Sequence, residues 1–414
     1  MKVLICDDLE DRGQLALDAV KQSGVDADVD LFAGSQLAEE LQKLFRRAAS
    51  CVANPSAFRP ENGLLFDKYD VGIFDNNLAQ LDFKGARLTA EDVVGYVRAF
   101  SDLSYVVSLN KNPDVGFDLR YLIGDFESSA DVAVNTEHLA NLALWTGNPA
   151  DAENGFLPWY WPRLAEASAR RREQVGFLGG RLGSPLLEIL DIPAEEAWLG
   201  FLSRHARGSL VAETDLANVA GLVDVFVARN RSIPAKEERK SIAAALAGNE
   251  ALRTPIARVV AAEIDFWFRR DLLAPQELVV DLPHLLMRMP FLLGIHVGSL
   301  DAWNAVLRAD SPPFGLDHVL YNQHLAASLY PQQRWTSAPT FFWPQLKADE
   351  ELSTRFFEAD QAQWIDAVFC EDTSLFVLRE DEPAEFSAQF DGSWSRRFVR
   401  RIAGVNYAPV TFFG

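Results

Sequence analysis

Five short apolar runs punctuate the first 145 residues, at Lys2–Cys6, Ala27–Phe32, Val71–Phe74, Tyr105–Ser108 and Val132–Val134. Between and after them lie stretches with helical spacing: Arg12–Ser23, Ser35–Ala49, Thr89–Phe100, Phe117–Ile123 and Glu137–Trp145. Strands this short and apolar have no wet face to offer. They predict a parallel, doubly wound sheet covered by helices on both sides. Such a sheet gathers ligands at the carboxyl ends of its strands, near the point where strand order reverses. Two stretches exceed this plan, Ser50–Asp67 and Asn76–Leu88. Both read as surface excursions, the second overhanging the strand ends.

The strand ends carry the chemistry. The first run, "VLIC", meets two adjacent carboxylates, Asp7 and Asp8, and the third, "DVGIFDNNL", closes on Asp75. Asp7, Asp8, Glu10 and Asp11 could simply charge the first turn of the next helix. Adjacent strands one and three would instead bring Asp7, Asp8 and Asp75 into one pocket, where like charges need water or a cation. Strand four ends in Ser108, followed by Asn110, Lys111 and Asn112. Carboxylates, a hydroxyl and amides form a hard-oxygen set suited to Mg2+. With a cation in place, one carboxylate can attack phosphorus and form an acyl phosphate.

On these residues the region 1–145 resembles the receiver domain of two-component response regulators, a flavodoxin-like fold. The resemblance implies that Asp7 and Asp8 form the acidic pair, that Asp75 is the phosphoacceptor and that Asn77 lends the metal a backbone carbonyl. It also implies that Ser108 contacts the phosphoryl group. The sequence departs from the family at "ADVAVNTEHL", residues 130–139. Asn135 and Thr136 stand where the family has lysine and proline, and Val132 stands at the place of its aromatic switch. An amide donates a hydrogen bond but no charge. Lys111 either reaches back to substitute for the lysine or is an exposed loop residue. The expectation is a divergent receiver, with a pseudo-receiver that no kinase phosphorylates as the alternative.

The glycine-, proline- and asparagine-containing stretch 146–162 ends the alternating pattern and reads as a linker whose Trp159–Tyr160–Trp161 cluster anchors one domain on the other. Residues 163–414 read as a mostly helical output or interaction domain of no recognised family, with helical spacing at 163–175, 193–206, 213–229, 235–247 and 253–272. Strands are expected near its end, at Ser374–Leu378 and Glu385–Phe390. A net charge of −20 disfavours nucleic acid as the partner, and the receiver resemblance implies a protein partner such as a histidine kinase. The basic clusters Arg170–Arg172 and Lys236–Lys240 read as solvated helix faces, while Arg396, Arg397, Arg400 and Arg401 could meet an anion or an acidic partner. The chain shows no membrane-length apolar run and no leader pattern, so a cytoplasmic location is expected. Three scattered cysteines fit neither a disulfide framework nor a zinc site. His205, His284 and His296 show no acidic partner at ligand spacing, and His318 and His324, six apart, do not share a helix face. Cys370, beside acids, should have a raised thiol pKa. Three functions remain open: a signalling receiver controlling the helical region, a docking module, and an enzyme whose site lies in the C-terminal part.

Overall fold

The computed structural model describes residues 1–110 (without 61, 84 and 85), 116–119, 130–184, 186–190, 241–308 (without 243), 335, 340–343, 346, 362–386 and 397–407. The chain opens with β1 (Lys2–Asp7), α1 (Glu10–Gln22), β2 (Asp28–Ala33) and α2 (Gly34–Ala53). It continues through β3 (Val71–Asp75), β4 (Asn77–Phe83), β5 (Ala86–Thr89), α3 (Ala90–Phe100), β6 (Tyr105–Leu109), β7 (Val132–Val134), α4 (Thr136–Ala140) and α5 (Leu142–Thr146). The five core strands form one parallel sheet in the order β2-β1-β3-β6-β7.

Period-two alternation sorts the strand residues onto two covered faces. Val3, Ile5, Val71, Ile73 and Val107 pack with Ala16, Leu17 and Val20 of α1 and with Leu139 and Leu144. Leu4, Cys6, Phe74 and Val106 face the other way, onto Leu37, Leu41 and Leu44 of α2 and Val93 and Val97 of α3. Gly13 lets α1 lie close to the sheet, since a Cβ there would sit 2.5 Å from Leu31 and 3.1 Å from the Cβ of Asp7. Any larger side chain would push the helix off the strand end that carries Asp7.

The first long excursion differs from its sequence reading, and the second overhangs the strand ends as expected but is an ordered hairpin. Residues 50–67 turn inward: Phe58, Leu64 and Phe66 are buried, and Arg47 holds the segment through Asp67 at 2.9 Å and the Phe100 carbonyl at 2.8 Å. The stretch after Asp75 is an antiparallel hairpin, β4–β5, anchored by buried Leu78 and Leu81.

Beyond α5 the 146–162 stretch is packed, not loose: Phe156, Leu157 and Trp161 are buried in the core that includes β1 and β6. Trp159 and Leu157 donate backbone hydrogen bonds to the carbonyls of Glu371 and Asp372, so this stretch touches both halves of the chain. Helices α6 (Leu164–Gly179) and α7 (Arg253–Trp267) follow and pack on each other, and α7 also lies against α3. Its Ile256, Val260 and Ile264 enter the same core as α2 and α3. Of the cluster Arg170–Arg172, Arg172 is exposed but Arg171 is not on a solvated face. Arg171 is buried on Asp131 and Asp265, and Arg172 meets Asp70 at 2.6 Å, because α6 lies across the amino ends of the strands.

Further described elements include β8 (Val279–Asp281), α8 (Leu282–Arg288), α9 (Leu300–Val306), β9 (Thr340–Phe342), β10 (Ala367–Cys370), β11 (Leu375–Leu378), β12 (Ala384–Phe386) and β13 (Arg397–Val399). The last four make a mixed sheet, β11-β10-β13-β12, in which only β10 and β13 run parallel. The helical spacings at 193–206 and 213–229, the cluster Lys236–Lys240 and the residues His205, His318 and His324 lie outside the described residues. No helix among the described residues is long and apolar enough to cross a membrane.

Candidate metal centre

Parallel pairing sets Cys6 beside Phe74 and Phe74 beside Ser108, so β1, β3 and β6 end level with one another. The residues that follow the apolar runs therefore meet. Asp7, Asp8 and Asp75 each offer a carboxylate oxygen within 4.8 Å of the others, and all three are buried. Two unit charges at that spacing repel by about 3–4 kcal/mol even at an effective dielectric near 20. Like charges this close favour a cation among them.

Part of each ligand set is fixed by the backbone. Asp7 Oδ1 accepts the Leu9 N–H at 3.0 Å, tying the acidic pair to the turn that starts α1. Asp8 Oδ2 accepts the Gln80 N–H at 2.8 Å, so the hairpin β4–β5 reaches over the strand ends and fixes the second carboxylate. Asp8 Oδ1 has no hydrogen-bond partner and no contact with solvent. A buried carboxylate oxygen left this way is costly unless a cation meets it. The donor set fits a hard divalent ion: carboxylate oxygens suit Mg2+, which keeps several waters beside one or two protein ligands.

The other expected residues divide. Ser108 is buried at the end of β6, in register with the residue before Asp75. Asn77 begins the hairpin in an exposed position, its Oδ1 accepting the Ala79 N–H at 3.1 Å. Lys111 lies outside the described residues. Asn135 is buried and serves as the N-cap of α4: its Oδ1 accepts the His138 N–H at 2.8 Å, and its own N–H donates to His138 Nδ1 at 3.3 Å. Asn135 is thus engaged as a helix cap. The motif Asn-x-x-His ahead of apolar residues was the available signal for it. His138 stacks on Phe156 at 5.7 Å and meets Trp161 edge-on at 5.0 Å. Burial pulls its pKa down to about 4, so the ring is neutral at pH 7.

A second polar centre escaped the sequence reading, which saw no acidic partner for His284. The ring stands between two carboxylates, Nδ1 at 2.5 Å from Asp281 Oδ1 and Nε2 at 3.3 Å from Glu371 Oε1. Arg397 completes the group at 2.5 Å from Glu371, so this arginine is not open to an anion from solvent. All four side chains are buried. Despite its burial, Asp281 is held at about 2, chiefly by the His284 charge and hydrogen bond. One partner was legible as an N-cap: Asp281 precedes Leu-Pro-His, with its Oδ1 accepting the His284 N–H at 3.1 Å. The other, Glu371, is 87 positions away in sequence, and no local pattern reports it. Cys370 has a raised thiol pKa, from burial first and from Asp372 second.

No family model, no curated protein and no solved structure matches this chain.

Proposed function

We propose that the N-terminal α/β unit is a divergent receiver: Asp7, Asp8 and Asp75 bind Mg2+, and Asp75 accepts a phosphoryl group from a protein donor such as a histidine kinase. The observation that carries this reading is the convergence of three buried carboxylates at the carboxyl edge of a parallel sheet, one of them with an unpartnered oxygen. The resemblance gives Ser108, one register position before Asp75 on the neighbouring strand, the role of the hydroxyl that contacts the phosphoryl group. The state of Asp75 then sets how the α/β unit packs against the rest of the chain.

A second reading is a docking module that is never phosphorylated, and Asn135 favours it. Its amide caps α4 and brings no positive charge to offset a phosphorylated Asp75. One experiment separates the two. The full chain, with Mg2+, is exposed to acetyl phosphate and labelling at Asp75 is followed, with Asp75→Asn as the blank. Labelling lost in Asp75→Asn and in Lys111→Ala supports the receiver reading with Lys111 in the vacant place. Mg2+ binding without labelling, in the natural chain and in Asn135→Lys, supports the docking module. Absence of Mg2+ binding overturns the receiver reading.

A further inference from the structure

The amino end of the same sheet holds a different kind of site. Asp131, just before β7, is shared by Arg98 at 3.0 Å and Arg171 at 2.8 Å. Asp265 of α7 is shared by Arg171 at 3.2 Å and Arg269 at 3.3 Å. The result is an alternating row, Arg98–Asp131–Arg171–Asp265–Arg269, with an arginine at each end. Beside it lies a cavity of about 40 Å³, lined among others by Arg170, Arg171, Arg269, Asp265, Tyr105 and Trp335. Of the charged side chains that line it among the described residues, three are arginines and one is an aspartate.

Three donors in this lining have nothing to donate to. Arg171 Nη1, Arg269 Nε and Trp335 Nε1 are out of solvent and without a hydrogen-bond partner, and Arg171 and Trp335 are themselves almost wholly buried. Arg170 stands at the rim, 3.8 Å from exposed Glu166. Burial holds its pKa below the ordinary guanidinium value despite Asp265 and Glu166 nearby. Unsatisfied buried donors and surplus buried positive charge are both costly, and one acceptor with negative charge removes both costs. The cavity is several times the roughly 10–15 Å³ that one water needs, which suits a compact anion and is too small for a nucleotide base.

We propose that this cavity binds a small oxyanion, a phosphate or a carboxylate, the two groups that guanidinium forks match. The site draws on the sheet through Tyr105 and on the helical region through Arg171 of α6, Asp265 of α7 and Arg269. An anion there ties the two regions together, at the opposite edge of the sheet from Asp75.

Calorimetric titration of the full chain tests this, with inorganic phosphate and acetate in separate arms at fixed ionic strength. EDTA is present so that no cation can recruit phosphate to the acidic centre. The expected result is one-site saturation by one of the two anions, which names the chemistry. Arg170→Gln, at the rim, should weaken binding about tenfold, with Arg170→Lys in between. Failure of both anions to saturate below about 10 mM would leave the cavity to water and overturn the proposal. So would Arg170→Gln, folded by circular dichroism, binding as tightly as the natural chain.

Discussion

The two edges of the parallel sheet solve opposite electrostatic problems. At the carboxyl edge, three carboxylates converge and part of their charge is met by backbone N–H groups of Leu9 and Gln80. At the amino edge, two carboxylates are shared among three arginines. The first edge gathers its charge from residues that end strands, so the fold topology assembles it. The second borrows arginines from α6 and from the turn after α7, so tertiary packing assembles it. Charge left over at a strand end can be met by a solvated ion, whereas charge inside a helix–sheet junction must be matched within the protein or by a ligand that fits.

The largest expected effect breaks this comparison at its amino edge. Asp131→Ala leaves Arg98 and Arg171 without their shared partner and should cost about 3–5 kcal/mol of stability in denaturant titration. Asp8→Asn, in metal-free buffer, should cost far less, since it relieves repulsion. If the two losses were equal, the contrast between the edges would be wrong. Next in size is the pH response at His138. Its folded-state pKa, about 4, lies below the unfolded value, so the unfolded chain takes up the proton first. Its contribution is complete above about pH 6.5 and declines as pH falls toward 4, by roughly 3 kcal/mol. His138→Gln should flatten that part of the stability profile. Magnesium at ten times its dissociation constant should add about 1.4 kcal/mol, an increment that EDTA removes and Asp8→Ala abolishes. The smallest effect belongs to Asn135. Asn135→Ala should cost about 1 kcal/mol through the lost cap, and Asn135→Ser much less.

Legibility in the sequence followed the range of the interactions. Val132–Val134 reads as a strand and is one, with the same bounds, because an apolar β-branched run between polar residues has few other outcomes. Asp7, Asp8 and Asp75 were legible because the acidic pair closes the first apolar run and Asp75 the third, and parallel pairing of those two strands does the rest. The hairpin was not. Between its two strands the sequence reads Lys-Gly, not the Asn-Gly or Asp-Gly that marks tight hairpins, and its strands do not alternate cleanly. Arg171 was misread for a different reason. Three consecutive arginines on a helix look solvated in one dimension. Their partners, Asp70, Asp131 and Asp265, come from as far as 102 positions before and 94 after. The His284 centre is similar, one partner local and one distant.

The tail after β13 returns to the first unit. Asn406 accepts hydrogen bonds from the backbone N–H groups of Gly116 and Phe117, and the Tyr407 ring lies 5.4 Å from that of Phe117. The Tyr407 hydroxyl, in turn, donates to Asp372 at 2.6 Å. These contacts join residues nearly 300 positions apart, so they belong to the slow, non-local class of folding events. During synthesis the sheet emerges early, yet Phe117 must wait for almost the whole chain before its neighbour at 407 exists. The α/β unit is therefore made first and finished last, and a nascent chain halted at residue 396 would still expose an apolar ring that the complete protein buries.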